Sequence, residues 1–374
     1  MDAVSPIVLA LNSGSSSLKF GLYRVGLAGP DVLHSGEAEL KSIDDAQGAL
    51  IGIAELLTKA RMPAPTAIGH RVVHGGPNLR DHCLIDDAML GQLEAATAFA
   101  PLHIPLALSV IRFAREHFGG LPQAACFDTA FHATMPAVAR TLPIARELRS
   151  QGIQRYGFHG LSCESIVRRL ADDLPDRLII AHLGNGASLT AVKAGRSMDT
   201  SMGLTPTGGV IMGTRSGDLD PGILVYLARE KAFDPAMLED LVDRRSGLLG
   251  ISGLSSDMRL LHRSSSTNTD ARLAIQMFCS SVRKQAAAMI TTLEGVDAIV
   301  FTGGIGENDP QARAEICAGL SWMGVSLDET SNRSGNNPLN DPMSRCRVLV
   351  MASQEDEQIA RHTRDLMVGI DRDP

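Results

Sequence analysis

The chain has 374 residues, 44% hydrophobic and 21% charged, a balance that describes a globular protein of about two domains. A net charge of −7 argues against nucleic acid or an anionic membrane as partner. The most apolar stretch, 95–111, holds His103, Pro101 and Pro105 and is too short to span a bilayer; no basic leader precedes the first strand, and six cysteines form no C-x-x-C pair. These features predict a cytoplasmic protein with reduced thiols rather than a disulfide framework or a zinc site.

In chain order, Ile7-Val8-Leu9-Ala10 is an apolar strand that runs into "LNSGSSSLKF". This is not a P-loop: Leu18 stands where the second glycine belongs, and Phe20 where a Ser or Thr belongs. Apolar residues then alternate through Leu18, Phe20 and Leu22, which predicts a second strand and hence a β-hairpin. Its tip offers backbone N–H groups, serine hydroxyls and Lys19 to an anion; a plain surface turn is the alternative. Helical periodicity follows within 86–118, and Ala124–Phe127 forms a short apolar run ending at Asp128.

The opening pattern recurs. Leu178–His182 is an apolar strand, "LGNGAS" a turn and Leu189–Val192 a strand, with Asn12 and Asn185 each expected in the turn after its strand. Two such hairpins heading halves of similar length suggest an internal duplication with the active site between the halves. Residues 271–294 have helical periodicity. "GGIGEN" reads as a glycine-rich turn after the strand Ala298–Thr302, before a helix with Asp309 as N-cap and Pro310 in its first turn. Residues 263–270 and 331–342 read as exposed loops.

Several residues could carry chemistry. Arg71 in "GHRVVHGG" and Arg215 in "MGTRSGDLDPG" sit among small residues, and an arginine fork matches carboxylate and phosphate oxygens; structural ion pairs, for Arg215 with Asp218 or Asp220, are the alternative. Asp128, ending its strand, points to a ligand crevice. His132 follows it closely, and His159 lies beside glycines in "YGFHG". Glu355, Asp356 and Glu357 offer oxygen ligands for Mg2+, or simply an acidic helix start. His70 and His74 lack the surroundings of a metal motif. Phosphate-holding turns, two arginines and acids, with no nucleophile paired to a base, suit phosphoryl transfer.

Eight segments, "LNSGSSSLKF", "GHRVVHGG", "APLHIP", "FDTAFHATMP", "YGFHG", "HLGNGAS", "MGLTPTGGVIMGTRSGDLDPG" and "FTGGIGEN", run in order along nearly the whole chain. Together they resemble the acetate kinase family. The resemblance implies a duplicated α/β sugar kinase/actin-like ATPase fold, with domains at 1–130 (completed by 360–374) and 131–359 and the active site in the cleft between them. It implies reversible phosphoryl transfer from ATP to acetate, Mg2+ or a substituting Mn2+, and a homodimer. Propionate or butyrate kinases of the family are the nearest alternatives; a sugar kinase, using Asp128 as base, is more distant.

Residue by residue, the resemblance assigns Asn12 and Glu355 to the metal. It assigns Arg71, Arg215, Asp128 and His159 to the reacting centre, and Val73, Leu102, Phe158 and Pro206 to the pocket for the acetate methyl. Ser15, Ser17, Lys19, His182, Gly184, Asn185 and Gly186 match the phosphate side. Asp257 and Arg259, with Gly303, Gly304, Ile305, Gly306 and Asn308, match the adenosine side. Pro77, Ile104 and Cys163 depart from the family's usual residues, as does "TPTGG", and the changed neighbours of Glu355 make that assignment the one the motif supports least.

Overall fold

The computed structural model describes residues 5–14, 17–39 and 45–370. Its contacts divide the chain into two units, Met1–Ala133 with Phe158–Ser165 and Gln354–Pro374, and Thr134–Gly157 with Ile166–Ser353.

The first unit is built on a six-stranded sheet of β1 (Ile7–Ser13), β2 (Ser17–Val25), β3 (Pro30–Glu39), β4 (Ala67–Val72), β5 (Cys83–Leu84) and β6 (Gln123–Phe127). The spatial order is β3-β2-β1-β4-β6-β5. β1 and β2 form the antiparallel hairpin that the alternation predicts, with Asn12 opposite Lys19 and Ser13 opposite Leu18. β4 and β6 are parallel to β1 and lie beside it in turn. β1 and β6 are buried along their whole length, and β4 nearly so, as expected for strands covered on both faces. On one face Leu9, Leu11, Leu18 and Phe20 pack with Leu50 and Ile53 of the helix Asp45–Lys59 and Val110 of the helix Ile104–His117. On the other, Val8, Ala10 and Cys126 pack with Ile359 and Ala360 of the helix Glu355–Ile370. A side chain at Gly69 of β4 would begin 2.2 Å from Thr363 Oγ1 of that helix, so glycine sets how closely it lies on the sheet.

The second unit repeats this plan with β7 (Arg177–Leu183), β8 (Ala187–Lys193), β9 (Arg196–Thr200), β10 (Ala298–Thr302) and β11 (Arg347–Val350), in the order β11-β10-β7-β8-β9. β7, β8 and β9 are antiparallel neighbours, and β7, β10 and β11 are parallel. β7 corresponds to β1, β8 to β2, β9 to β3, β10 to β4 and β11 to β6. The duplication is therefore one of topology and direction as well as length.

Three expectations need correction. Asn12 lies within β1, one residue before the last hairpin pair, and its counterpart by register is His182, opposite Ser188; Asn185 is in the turn beyond β7. "GGIGEN" is itself a short helix, Gly303–Asn308, because the Glu307 carboxylate accepts the Gly303 N–H at 2.9 Å and closes its first turn. The helix Pro310–Ala318 follows, with Asp309 accepting from the Gln311 and Ala312 N–H groups. Neither expected loop is loop throughout. Ser264 ends the helix Met258–Ser264, and Asn268 caps the helix Thr269–Leu293. Glu329–Ser334 is helical, and the Asn332 side chain is buried, where its Oδ1 accepts from the fully buried Arg313.

Candidate active site

In the first unit, three neighbouring parallel strands end side by side and present Asn12 from β1, Arg71 from β4 and Asp128 just after β6. Open α/β sheets bind ligands at such carboxyl ends. Arg71 donates through Nε and Nη2 to a single oxygen of Asp128, Oδ2, at 3.0 and 2.6 Å. Its Nη1 reaches Asn12 Oδ1 at 3.4 Å and the Ser13 carbonyl at 3.3 Å. Asn12 Nδ2 donates to Glu355 Oε2 at 3.2 Å and Asp356 Oδ1 at 2.8 Å, both in the first turn of the helix Glu355–Ile370. That turn is an acidic helix start, and it also belongs to the cluster. The contact from Asn12 to Asp356 was not anticipated; Asp356 was only one of three acids in a row. Lys19, across the hairpin from Asn12, lends its charge to Asp356. Ser17 opens β2, and Ser15 lies outside the described residues.

Asp128 is 1% exposed, and its other oxygen, Oδ1, is buried with no hydrogen-bond partner among the described residues. Burial pushes the carboxyl up to about 6, against the pull of the Arg71 guanidinium. The ion pair in turn holds Arg71 in its charged form, although burial opposes it. The backbone around Asp128 is fixed: its N–H donates to the Val72 carbonyl at 3.0 Å and its carbonyl accepts from Gly160 at 2.9 Å. A Cβ on Gly160 would stand 2.2 Å from that carbonyl, so only glycine permits the approach. His159, just before it, has φ +58, in the left-handed region that non-glycine residues seldom adopt. Such strain clusters at functional sites. Phe158 is 1% exposed, its carbonyl faces His132 Nε2 at 3.0 Å, and its ring meets His74 edge-on. Val73 is nearly buried and Leu102 half-buried. His70, expected to be no ligand, is buried against Gln123 Oε1 at 2.8 Å.

In the second unit a cavity of about 700 Å3 is lined by Gly184, Asn185, Asp257, Arg259, Gly304, Ile305 and Asn308, seven of the residues expected on the nucleotide side. Its volume suits a drug-sized ligand. A Cβ on Gly304 would meet nothing within 4 Å, leaving the backbone open to a ligand, whereas one on Gly303, at φ +78, would strike the Leu183 carbonyl. Asp257 caps its helix and pairs with Arg259 Nη2 at 2.8 Å. His182, Gly186, Gly303 and Gly306 lie on the adjoining β7, its hairpin turn and the Gly303–Asn308 helix, but are not among the lining residues. Sequence reasoning missed His262, whose Nε2 lies 2.8 Å from Asp309 Oδ2 on the cavity wall. Burial of Asp309 is outweighed by that partner and by the two capped N–H groups, which hold its carboxyl below the usual range. The signal available was slight: His262 lies three residues beyond Arg259, one helical turn on. Arg215 has Asp243 and the Pro206 carbonyl beside it: its Nε is 3.9 Å from the first and its Nη1 3.4 Å from the second. Asp218 accepts from the Gly209 N–H, and Asp220 caps the helix Pro221–Glu230.

Residues 7–361 match the Acetokinase family. The chain belongs to that family. An acetate kinase of Methylocella silvestris is 39% identical across 97% of this chain and 98% of its own. One from Thermosynechococcus vestitus is 41% identical across 96% and 98%. Among solved structures, a propionate kinase from Francisella tularensis superposes with a TM-score of 0.87 at 36% identity, covering 96% of this chain and all of its own. The Porphyromonas gingivalis acetate kinase gives 0.85 at 32% identity over 97% of this chain and all of its own. The acetokinase chain thus has the duplicated sugar kinase/actin-like ATPase fold, and the repeated sheets are its two halves.

Burial raises the Asp128 carboxyl in the fold, so protonation favours the folded state: this contribution is complete below the ordinary value near 3.8 and is lost as pH rises through about 6. Arg71→Ala removes the charge that opposes this shift and leaves a buried carboxylate alone. The variant should lose about 3–5 kcal/mol of stability at pH 8 and clearly less at pH 5. Denaturant unfolding at the two pH values checks this, and equal losses would mean that Asp128 is not the group exposed by the substitution.

Proposed function

We propose that the protein is an acetate kinase, moving the γ-phosphoryl group of ATP reversibly onto acetate to give acetyl phosphate and ADP. The observation that carries this reading is the polar cluster of Asn12, Arg71 and Asp128 in a chain that matches the Acetokinase family almost end to end. A carboxylate acceptor has a pKa near ~4.3 and is ionised at neutral pH, so it needs no general base. What it must overcome is repulsion by an anionic phosphoryl group. Arg71 and Arg215 supply positive charge for that purpose, and Asp128 fixes Arg71 rather than accepting a proton. Arg71 already commits Nε, Nη1 and Nη2 to protein acceptors, which makes it a rigid charge. His159 and Asn185 contact the phosphoryl group and phosphate chain, and the cavity beside Gly304 takes the nucleoside.

The reading includes Mg2+, with Mn2+ as a substitute. The donors fit a hard cation: Asn12, Glu355 and the buried Oδ1 of Asp128, which no described residue engages, are all oxygen ligands. When bound, the ion would neutralise charge on the transferring phosphate. Asn12 orients the acids, and Asp356 is held with Glu355 by the same amide.

Arg215→Ala should lower kcat on the order of 10²–10³-fold with the fold intact, as for removal of one transition-state stabiliser. Turnover like that of the parent protein in this variant would take Arg215 out of the mechanism.

For the acceptor, Val73, Leu102 and Phe158 of the first unit supply the apolar surface for the methyl. A methylene is worth only ~1–3 kcal/mol there, so acetate should exceed propionate by roughly ten- to a hundred-fold in kcat/KM. Val73→Ala should narrow that ratio and leave the ATP KM unchanged. Hydroxylamine trapping of acyl phosphate, with ATP, Mg2+ and a panel of acids and sugars, tests both class and acceptor. Propionate kinase is the second reading, favoured by the Francisella structure, and a preference for propionate would establish it.

A homodimer and a cytoplasmic setting go with this function. The helix Pro221–Glu230 has no buried residue and leaves Ile223, Val225 and Tyr226 exposed, an apolar surface suited to a second copy. Val225→Asp should yield a monomer in light scattering behind size-exclusion chromatography; an unchanged mass would remove this helix from the interface.

A further inference from the structure

A cluster of three titratable side chains in the first unit has no part in the chemistry above. Glu164, on the helix Gly160–Leu170, lies between two imidazoles: His362 Nε2 is 2.6 Å from its Oε2, and His82 Nε2 is 3.6 Å from its Oε1. Gln358 Nε2 donates to the same carboxylate at 3.3 Å, and the two rings have centroids 3.8 Å apart. The three side chains are 12%, 18% and 21% exposed for His82, Glu164 and His362. Two histidines and a glutamate could suggest a transition-metal site. The hydrogen bonds argue otherwise. His82 Nδ1 accepts the backbone N–H of Phe127 at 3.0 Å, so in the neutral ring the proton is on Nε2 and no lone pair there is left for a metal.

The position of that bond suggests its use. β5 is only two residues long and pairs Cys83 with Ala125; beyond it β6 keeps β4 on one edge but has no strand neighbour among the described residues on the β5 edge. His82, just before β5, replaces the missing strand with a side chain and takes the Phe127 amide. Asp128 is the next residue. Two backbone partners, Val72 and Gly160, hold Asp128 itself, and the peptide leading into it is held by His82.

We propose that His82 is a positioning residue for Asp128: the Phe127 N–H on its Nδ1 sets the Nε2–H tautomer, and its Nε2–H edge faces the carboxylate of Glu164, which Gln358 and His362 anchor to the helix that begins at Glu355. The ring is suited to the task at neutral pH: burial and the neighbouring His362 hold His82 below the usual imidazole range, although Glu164 and Asp81 pull the other way. Burial would raise the Glu164 carboxyl, but the hydrogen bond to His362 and the nearby His82 ring outweigh it and bring it to about 2. Cys126 and Asp128 also face this carboxylate, and both are made harder to ionise by it.

The inference rests on the proposed kinase reaction for its kinetic test, so the experiment includes a second measurement that needs no turnover. His82→Ala removes the acceptor for the Phe127 amide, while His82→Asn places an amide oxygen near the position of Nδ1. His82→Ala should lower kcat on the order of ten- to a hundred-fold, with the KM for ATP changed by less than about twofold, as for a small misplacement of a reacting group. His82→Asn should recover most of the loss. Hydrogen–deuterium exchange of the Phe127 amide should accelerate in His82→Ala and return towards the parent rate in His82→Asn. Unchanged kcat in His82→Ala overturns the proposal, as do equal losses in both variants with a matching fall in Tm, which would mark a packing role. Stoichiometric Zn2+ binding that disappears in His82→Ala overturns it in favour of a metal site. If the parent protein phosphorylates no acid, the proposed function fails, and unaltered amide exchange in His82→Ala would then refute the role of His82 independently.

Discussion

The ion pair between Arg71 and Asp128 is the constraint on which the first unit's site depends. Removing both charges from water is costly and is repaid only where geometry is tight and the remaining donors find partners. Neighbouring parallel strands supply that geometry: β4 and β6 run in register with Arg71 beside Cys126, so an arginine on one meets an acid one step past the end of the other. Asn12 on β1 then accepts from the guanidinium and donates to Glu355 and Asp356. Each group sits where it does because the sheet fixes strand spacing and direction, and each charge is tolerable because the next is present.

The second unit applies the same scaffold differently. By register, Asn12 corresponds to His182 and Arg71 to Thr302, the residue before the Gly303–Asn308 helix. Where the first sheet ends in charge, the second ends in glycines that leave backbone accessible along a cavity. One topology thus carries a cluster of charged and polar groups at the strand ends of one half and a glycine-lined cavity at those of the other. The difference lies in a few residues at strand ends, where side chains can change without disturbing the core.

Much of this was legible in the sequence because it is local. Alternation gives the hairpins, Asp309 before Pro310 gives a helix start, and the buried runs give the parallel strands. The series of motifs carried the fold and most of the cavity's lining. What was not legible depends on long-range partners. Asp243, 28 residues beyond Arg215, comes within 3.9 Å of it, and no local spacing announces that neighbour. The "GGIGEN" segment looked like a turn because glycine weakens helices, and Glu307 tips the balance by capping it. Asn332 looked like part of a loop until the buried Arg313 needed its oxygen. His82, Glu164 and His362 are far apart in sequence, in no motif, and acquire meaning only when a two-residue strand ends beside Phe127.

The residues around Asp128 also show why this part of the chain cannot be arranged for stability alone. His159 adopts a left-handed conformation that costs about 1–2 kcal/mol for a side chain-bearing residue. Gly160 gives up conformational freedom so that its N–H can reach the Asp128 carbonyl, and Asp128 keeps one buried oxygen without a hydrogen bond from the described residues. Each of these is unfavourable in isolation, and all three lie within one stretch of contacts. A fold selected only to persist would relax them, for instance by turning His159 out or hydrating Asp128. They stay because the flanking backbone is held from several sides: by Val72 across the sheet, by the helix that starts at Gly160, and by His82 through Phe127. On the proposed reading, the strain and that oxygen are concentrated where a phosphoryl group and its cation would relieve them, and binding would then draw on free energy that folding has left unspent.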